Sequence, residues 1–200
     1  PYALGQQVNF KKDFGPDLKK LDLNILNDVK KEDFLKKLNP VYETIKETKK
    51  KLSINNKDTI GFVGAPWTLL LYMLNRKSPK EGNFTVFPKD KYINNILMKL
   101  DEFLKIHIEA QIKSGASIIQ IFDSWAGLLP EKDLNYFVYK PIKSLVDFIR
   151  QKKTISICFP RNINSYKKFV DNVNPDIISI DYNVDPLIIR DTIDIPVQGG

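Results

Sequence analysis

The stretch GFVGAPWTLLLYM, Gly61 to Met73, changes character at its midpoint. With the two residues before it, its first half makes a short apolar run, Thr59 to Val63, of the kind that forms a buried strand. The run ends in a Gly-Ala-Pro turn, and beyond the turn Trp67, Thr68 and Tyr72 ride on the start of a helix. A strand that hands over to a helix through a tight turn is the repeating unit of an α/β protein. Residues at that junction are where such folds keep their ligand-contacting groups.

The same alternation continues toward the C-terminus. Ile93, Leu97, Leu100, Leu104, Ile108 and Ile112 follow helical spacing, which predicts one long amphipathic helix stopped at Gly115. ASIIQIFDSW follows as a strand whose unbroken apolar run suits burial on both faces. PIKSLVDFIRQ is a helix with Pro141 in its first turn, TISICFP a strand, SYKKFVDNV a short helix and DIISIDYN another strand. A short helical segment around DPLIIRD and a last apolar stretch, IPVQGG, close the sequence. Toward the N-terminus, KEDFLKKL and PVYETIKETKKKL predict two short helices, with Asn39 capping the second and Pro40 in its first turn. Residues 1 to 30 carry Gly15-Pro16 and no clear period, which predicts loop and short turns.

Five strands alternating with helices predict a parallel sheet with crossover helices. A doubly wound sheet usually shows a glycine-rich phosphate loop, and neither G-x-G-x-x-G nor G-x-x-x-x-G-K-[ST] occurs. The strand ends instead carry Pro66-Trp67, Asp123-Ser124-Trp125, Pro160-Arg161, Asp181-Tyr182 and Gln198-Gly199. Polar and aromatic residues at the carboxyl ends of many strands are the mark of a (β/α)8 TIM barrel. Such a barrel takes eight strands and about 250 residues. The expectation is therefore a single α/β domain over residues 1 to 200 that holds about five strands of an incomplete barrel.

Composition sets outer bounds. Hydrophobic residues make up 42% of 200 residues, enough for a packed core. The longest apolar stretch, TLLLYML, is far short of the roughly 20 residues that cross a bilayer, and PYALGQQVNF lacks a basic flank followed by an apolar block. A lone cysteine, Cys158, leaves no internal disulfide. The expectation is a soluble cytoplasmic protein without a membrane partner. The 31 basic and 24 acidic residues give a net charge of +7, partly in clusters such as Lys30-Lys31 and Lys49-Lys50-Lys51. A positive field draws anions, nucleic acid and small polycarboxylates alike. A basic RNA-binding module requires aromatics exposed beside the lysines, whereas Phe62, Trp67, Phe122 and Trp125 stand at apolar strand ends. No nucleic acid partner is expected.

Nucleophilic and metal chemistry have little to work with. The single histidine, His107, lies inside the long helix and Cys158 in a strand, so both are expected to be packing residues rather than zinc ligands. FDSWAG carries more information: a carboxylate, a hydroxyl and an indole follow a buried strand where a barrel presents its ligand-contacting loop. Taken alone, the Asp or Ser there also suits a cap on the next segment.

GFVGAPWTLLLYM and QIFDSWAG, with the opening ALG and the closing QGG, together resemble the uroporphyrinogen decarboxylases of haem biosynthesis over essentially the whole chain. That resemblance implies a (β/α)8 barrel, usually a homodimer, that converts uroporphyrinogen III to coproporphyrinogen III by removing four acetate carboxyls as CO2, with no metal or organic cofactor. It implies that Tyr72 reaches into the cleft beside the substrate, that Ser124 hydrogen-bonds a substrate carboxylate, and that Phe62 and Phe122 line the cavity around the tetrapyrrole. Tyr72 and Ser124 are then expected to face one cavity. The family's catalytic aspartate belongs to an F-S-D-I motif that would precede Pro1, and its arginine-rich loop and C-terminal histidine also fall outside these residues. The chain alone is accordingly expected to be inactive. The sequence departs from the family's Phe-x-Lys-Gly at Phe159-Pro160-Arg161-Asn162, keeping a cation and losing a glycine, and its QGN-type strand end reads Gln198-Gly199-Gly200. The alternative on the same barrel is the zinc-dependent methyltransferases that serve corrinoid proteins, which need a His/Cys ligand set.

Overall fold

The computed structural model of the chain describes residues 1–11, 15–53, 57–77, 79 and 86–199. Gly200, the last residue of the closing QGG, lies outside them. A short 3-10 turn, Tyr2–Leu4, leads into an antiparallel hairpin of β1 (Val8–Lys11) and β2 (Gly15–Leu18), paired from Val8 with Leu18 to Lys11 with Gly15. Helix α1 (Leu23–Asn27) follows, capped by the Asp22 carboxylate on the Asn24 amide. Helix α2 (Lys31–Ser53) then leads to strand β3 (Ile60–Gly64), helix α3 (Pro66–Asn75) and the long helix α4 (Lys91–Lys113). Strand β4 (Ile118–Asp123), helices α5 (Glu131–Leu134) and α6 (Lys140–Gln151), strand β5 (Ile155–Pro160) and helix α7 (Tyr166–Val173) continue the alternation. Strand β6 (Ile177–Ser179), helix α8 (Pro186–Arg190) and strand β7 (Val197–Gln198) complete it.

Strands β3 to β7 form one parallel sheet in chain order, β3-β4-β5-β6-β7. Sequential order with a helix at each crossover is barrel order, and a doubly wound sheet would reverse direction partway. The chain thus carries five strands of an α/β barrel. One face of the sheet is packed: Val63, Ile119, Ile121, Cys158 and Ile178 are buried against the helices. The alternate residues Ile60, Phe62 and Ile155 stay exposed on the other face, the side that curves inward in a barrel.

Helix α4 is the main buttress. Asp90 caps it by accepting from the Ile93 amide at 2.9 Å, and Ile93, Ile96, Leu100, Phe103 and Ile108 along its apolar stripe are buried. Burial of each such side chain stabilises by about 1.5–3 kcal/mol. At its end Gly115 takes φ 113°, and an added Cβ there would press on Lys49 at 3.0 Å.

The structure corrects two sequence expectations. The loop expected over residues 1 to 30 contains the hairpin, which is held by tertiary bonds that leave no local period. Gln6, 4% exposed, donates its Nε2 to the Lys19 and Met73 carbonyls, both at 2.8 Å, and the Leu18 amide donates to the Arg76 carbonyl. The two helices expected on either side of Pro40 are one helix, α2, with the proline inside it. Phe34, Tyr42 and Ile45 form a buried stripe that runs straight past Pro40, while Pro40 and Lys36 are exposed, so packing carries the helix through a turn that lacks one hydrogen bond. Pro141 stands in the first turn of α6, as the sequence predicts. Helical backbone enters from Glu131 and widens to a π turn over Asn135–Tyr139 just before the proline, where the missing N–H and the bulk of the ring disfavour the tighter turn.

Candidate functional site

Three aromatic side chains from three adjacent strands meet on the inward face of the sheet. Phe62 on β3 stands 6.0 Å, centroid to centroid, from Phe122 on β4, and Phe122 stands 6.1 Å from Phe159 on β5, both edge to face. They meet because the strand pleat sends every second side chain to the same side and the strands are staggered, with Gly64 beside Phe122 and Phe122 beside Phe159. Phe62 is 64% exposed, and Phe122 and Phe159 are half-buried. The result is an apolar floor open to a ligand, and on the same face Gln120 Nε2 donates to Gln198 Oε1 at 3.3 Å.

The rim lies at the carboxyl ends of the strands. Ser124 is half-buried directly after β4, and Tyr72 is half-buried on α3. The Tyr72 ring stands 6.4 Å from the ring of Trp125, the residue after Ser124. Tyr72 lines a cavity of about 580 Å³ with Leu69 and the hairpin residues Val8, Pro16 and Leu18, and Ser124 is not in that wall. The hairpin's part in the site is not expected from the sequence, because the bonds that hold it come from distant residues. Phe62 also lines a second cavity of about 310 Å³, between β3 and helices α2 and α4, with Phe34, Phe103 and His107 among its walls.

Beneath the rim lies a buried polar link. Asp123, fully buried at the end of β4, accepts a 2.6 Å hydrogen bond from Thr68 Oγ1 on α3, and the Trp125 backbone N–H also donates to its carboxyl. Its Oδ2 has no partner among the described residues. Burial pushes the carboxyl up to about 7, against the opposing pull of the two donors. Trp67, also buried, donates Nε1 to the Trp125 carbonyl at 2.9 Å.

The loop after β5 answers the sequence departure at Arg161-Asn162. Asn162 sits at φ 56°, the left-handed region that glycine enters freely and asparagine tolerates better than most residues. The glycine is therefore replaced without losing the turn. The Asn162 amide donates to Asp181 Oδ2 at 2.7 Å, and Tyr166 donates its hydroxyl to the same oxygen at 2.6 Å. Asp181 thus anchors the loop to α7. Arg161 is exposed beside it, with no side-chain partner among the described residues.

His107 and Cys158 lie apart from this rim. The Tyr42 hydroxyl meets His107 Nδ1 at 3.0 Å between α2 and α4, and burial lowers the imidazole to about 4. Cys158 is buried in β5, and burial raises its thiol far above the ordinary range. Among the described residues no three His, Cys, Asp or Glu side chains cluster as a metal site. No helix of the described residues is long and apolar enough to cross a membrane.

Comparison with known proteins places this geometry. The family model described as uroporphyrinogen decarboxylase matches residues 1–200. A uroporphyrinogen decarboxylase of Rickettsia bellii is 40% identical over 193 residues, covering 90% of this chain and 55% of the relative. One of Rickettsia felis is 36% identical over 199 residues, covering 92% and 55%, and one of Campylobacter fetus is 32% identical over 200 residues, covering 96% and 58%. The chain therefore spans little more than half the length of these relatives. Among solved structures, a B12-independent methionine synthase from Shewanella superposes with a TM-score of 0.51 over 98% of this chain and 56% of its own, at 14% identity, a likeness of fold alone.

Proposed function

The chain belongs to the uroporphyrinogen decarboxylase family, and from that premise we propose that the whole protein removes the four acetate carboxyls of uroporphyrinogen III as CO2 to give coproporphyrinogen III. It works as one barrel domain in a cytoplasmic homodimer, without a metal or organic cofactor. The observation that carries this reading is the aromatic floor of Phe62, Phe122 and Phe159 on adjacent strands, with Ser124 directly after β4.

The floor suits the apolar faces of a tetrapyrrole, and the rim suits its acidic margin. Ser124 donates its hydroxyl to a substrate carboxylate, Tyr72 projects beside the substrate, and Arg161 offers a cation at the same level. A net charge of +7 favours the approach of an octacarboxylate. Protonation of a pyrrole ring carbon makes a cationic ring next to the acetate, and that ring takes up the electron pair released as the C–C bond to CO2 breaks. The substrate thus acts as its own electron sink. The protein's share is to hold the ring, fix the carboxylates and stabilise the cation with a carboxylate. We assign that carboxylate to the family's aspartate rather than to a residue of this chain.

The test is to incubate the whole protein, with and without chelator, with uroporphyrinogen and to measure coproporphyrinogen. Chelator-insensitive product is expected, and Tyr72→Phe is expected to slow its formation more than it lowers the melting temperature. Absence of product refutes the activity; stoichiometric zinc whose removal abolishes turnover refutes the cofactor-free reading in favour of the metal-dependent methyltransferase type.

A further inference from the structure

The two rim residues ride on different elements, Tyr72 on α3 and Ser124 on the loop leaving β4. Their separation is therefore set by whatever fixes α3 to the end of β4. Bonds that cross that boundary include the Ala65 amide to the Phe122 carbonyl at 2.8 Å, Trp67 Nε1 to the Trp125 carbonyl at 2.9 Å, and Thr68 Oγ1 to Asp123 Oδ1 at 2.6 Å. The last differs from the others in kind. It joins two side chains, and each lies one structural step from a rim residue: Thr68 is one helical turn before Tyr72 on the same face, and Asp123 is the immediate neighbour of Ser124.

Asp123 is also held from β5 and from its own loop. The Arg161 amide donates to its carbonyl at 3.1 Å, tying in β5, and the Trp125 amide donates to its carboxyl. Its second oxygen stays unpaired in a fully buried place. A buried carboxyl with an empty oxygen costs stability that an apolar side chain of similar size would not. What it adds is direction, because a hydrogen bond fixes the rotation of α3 about its axis and an apolar contact does not.

We propose that Asp123 is a positioning residue: through its bond to Thr68 it holds Tyr72 and Ser124 at the spacing the substrate requires. The assignment of Tyr72 and Ser124 as substrate contacts rests on the function proposed above; the geometric claim does not. A misplacement of about 1 Å costs on the order of 100-fold in rate, so removing the link acts on turnover well before it acts on folding.

The experiment compares wild type, Thr68→Val, Thr68→Ser and Asp123→Ala in the whole protein. Asp123→Ala removes the costly carboxyl along with the link, and leaves the Thr68 hydroxyl its own helix carbonyl to bond. It therefore supplies the folded comparison if Thr68→Val, which strands a buried carboxylate, does not fold. Crystal structures give the ring separation of Tyr72 and Trp125, 6.4 Å with the link intact. Kinetics give kcat and KM for uroporphyrinogen. The expected result is a displaced Tyr72 ring and a kcat/KM at least about 10-fold lower in Thr68→Val and Asp123→Ala, with Thr68→Ser restoring both. An unchanged ring separation in Asp123→Ala overturns the proposal. A displaced ring with unchanged kcat/KM overturns it also, since the spacing then does not matter to the substrate. If wild type itself does not turn over uroporphyrinogen, the proposed function falls, and the ring separation alone still decides whether the link positions Tyr72.

Discussion

Gly127, in the 3-10 turn Ala126–Leu128 that closes the loop after β4, has almost no room for a side chain. A Cβ built there would lie 2.3 Å from the Asn162 carbonyl oxygen, 2.6 Å from the Asn162 Cβ and 2.7 Å from its carbonyl carbon. Two of these three atoms are backbone, so no rotamer change relieves the contact, and Gly127→Ala must separate the two loops by about 1 Å to reach an ordinary packing distance. Neither loop is loose. The Gly127 amide donates to the Arg161 carbonyl at 3.0 Å, the Arg161 amide to the Asp123 carbonyl at 3.1 Å, and the Asn162 amide to Asp181 at 2.7 Å. Overpacking of this kind costs about 1–3 kcal/mol and one weakened hydrogen bond about 1 kcal/mol, which places the total at about 2–4 kcal/mol. Chemical denaturation of the whole protein at equilibrium reads that difference, with Gly199→Ala as the matched control. A Cβ at Gly199 meets nothing within 4 Å, so the control is expected to stay within about 0.5 kcal/mol of wild type. A Gly127→Ala protein as stable as the Gly199→Ala protein would refute the close approach of the two loops.

Two other outcomes follow from features away from the rim. Pro40→Ala restores an N–H to the middle of α2 at an exposed position and is expected to stabilise by about 1–2 kcal/mol, read as a higher denaturation midpoint; a lower midpoint would mean that the proline shapes the helix in a way the packing needs. His107, lowered by burial to about 4 from 6.5, is neutral in the fold, so its contribution is complete above pH 6.5 and is lost as the pH falls toward 4. The loss amounts to on the order of 3 kcal/mol, and the melting temperature of wild type is expected to drop more steeply across that window than that of His107→Gln; parallel curves would count against a buried neutral imidazole.

The parallel sheet was legible from the sequence because each of its strands is announced locally. Thr59–Val63 and ASIIQIFDSW, Ala116 to Trp125, are short, mostly apolar and bounded by glycine or helical segments, and both lie within a residue or two of the observed strands Ile60–Gly64 and Ile118–Asp123. The long helix to Gly115 was legible for the same reason. The hairpin was not, because what holds it is distant: Gln6 reaching Met73 and Leu18 reaching Arg76 leave no trace in the local pattern. Pro40 misled because its local cost is real, yet a stripe of buried residues on either side outweighs it. At the site, the strand-end motifs located the rim, and the aromatic floor was half visible, in Phe62 and Phe122. Phe159 joins them only through the register of β4 against β5, which no single segment encodes. The Thr68–Asp123 bond spans 55 positions and needed the structure to appear.

The order of the sheet has a consequence for how the chain acquires it. Each strand pairs with the strand before it, but the lengths of chain closed by successive pairings differ: Ile60 meets Ile118 across 58 positions, Ile118 meets Ile155 across 37, Ile157 meets Ile177 across 20, and Ile178 meets Val197 across 19. Closing the first of these loops costs about 1 kcal/mol more in chain entropy than closing the last. Assembly from the β5–β7 end is thereby favoured in a chain released whole, while synthesis on the ribosome offers β3 and β4 first. Pulse-labelled hydrogen exchange on refolding protein should protect Ile178 ahead of Val63, whereas the nascent chain would acquire protection in the opposite sense; simultaneous protection of both in refolding would show that loop length does not set the route.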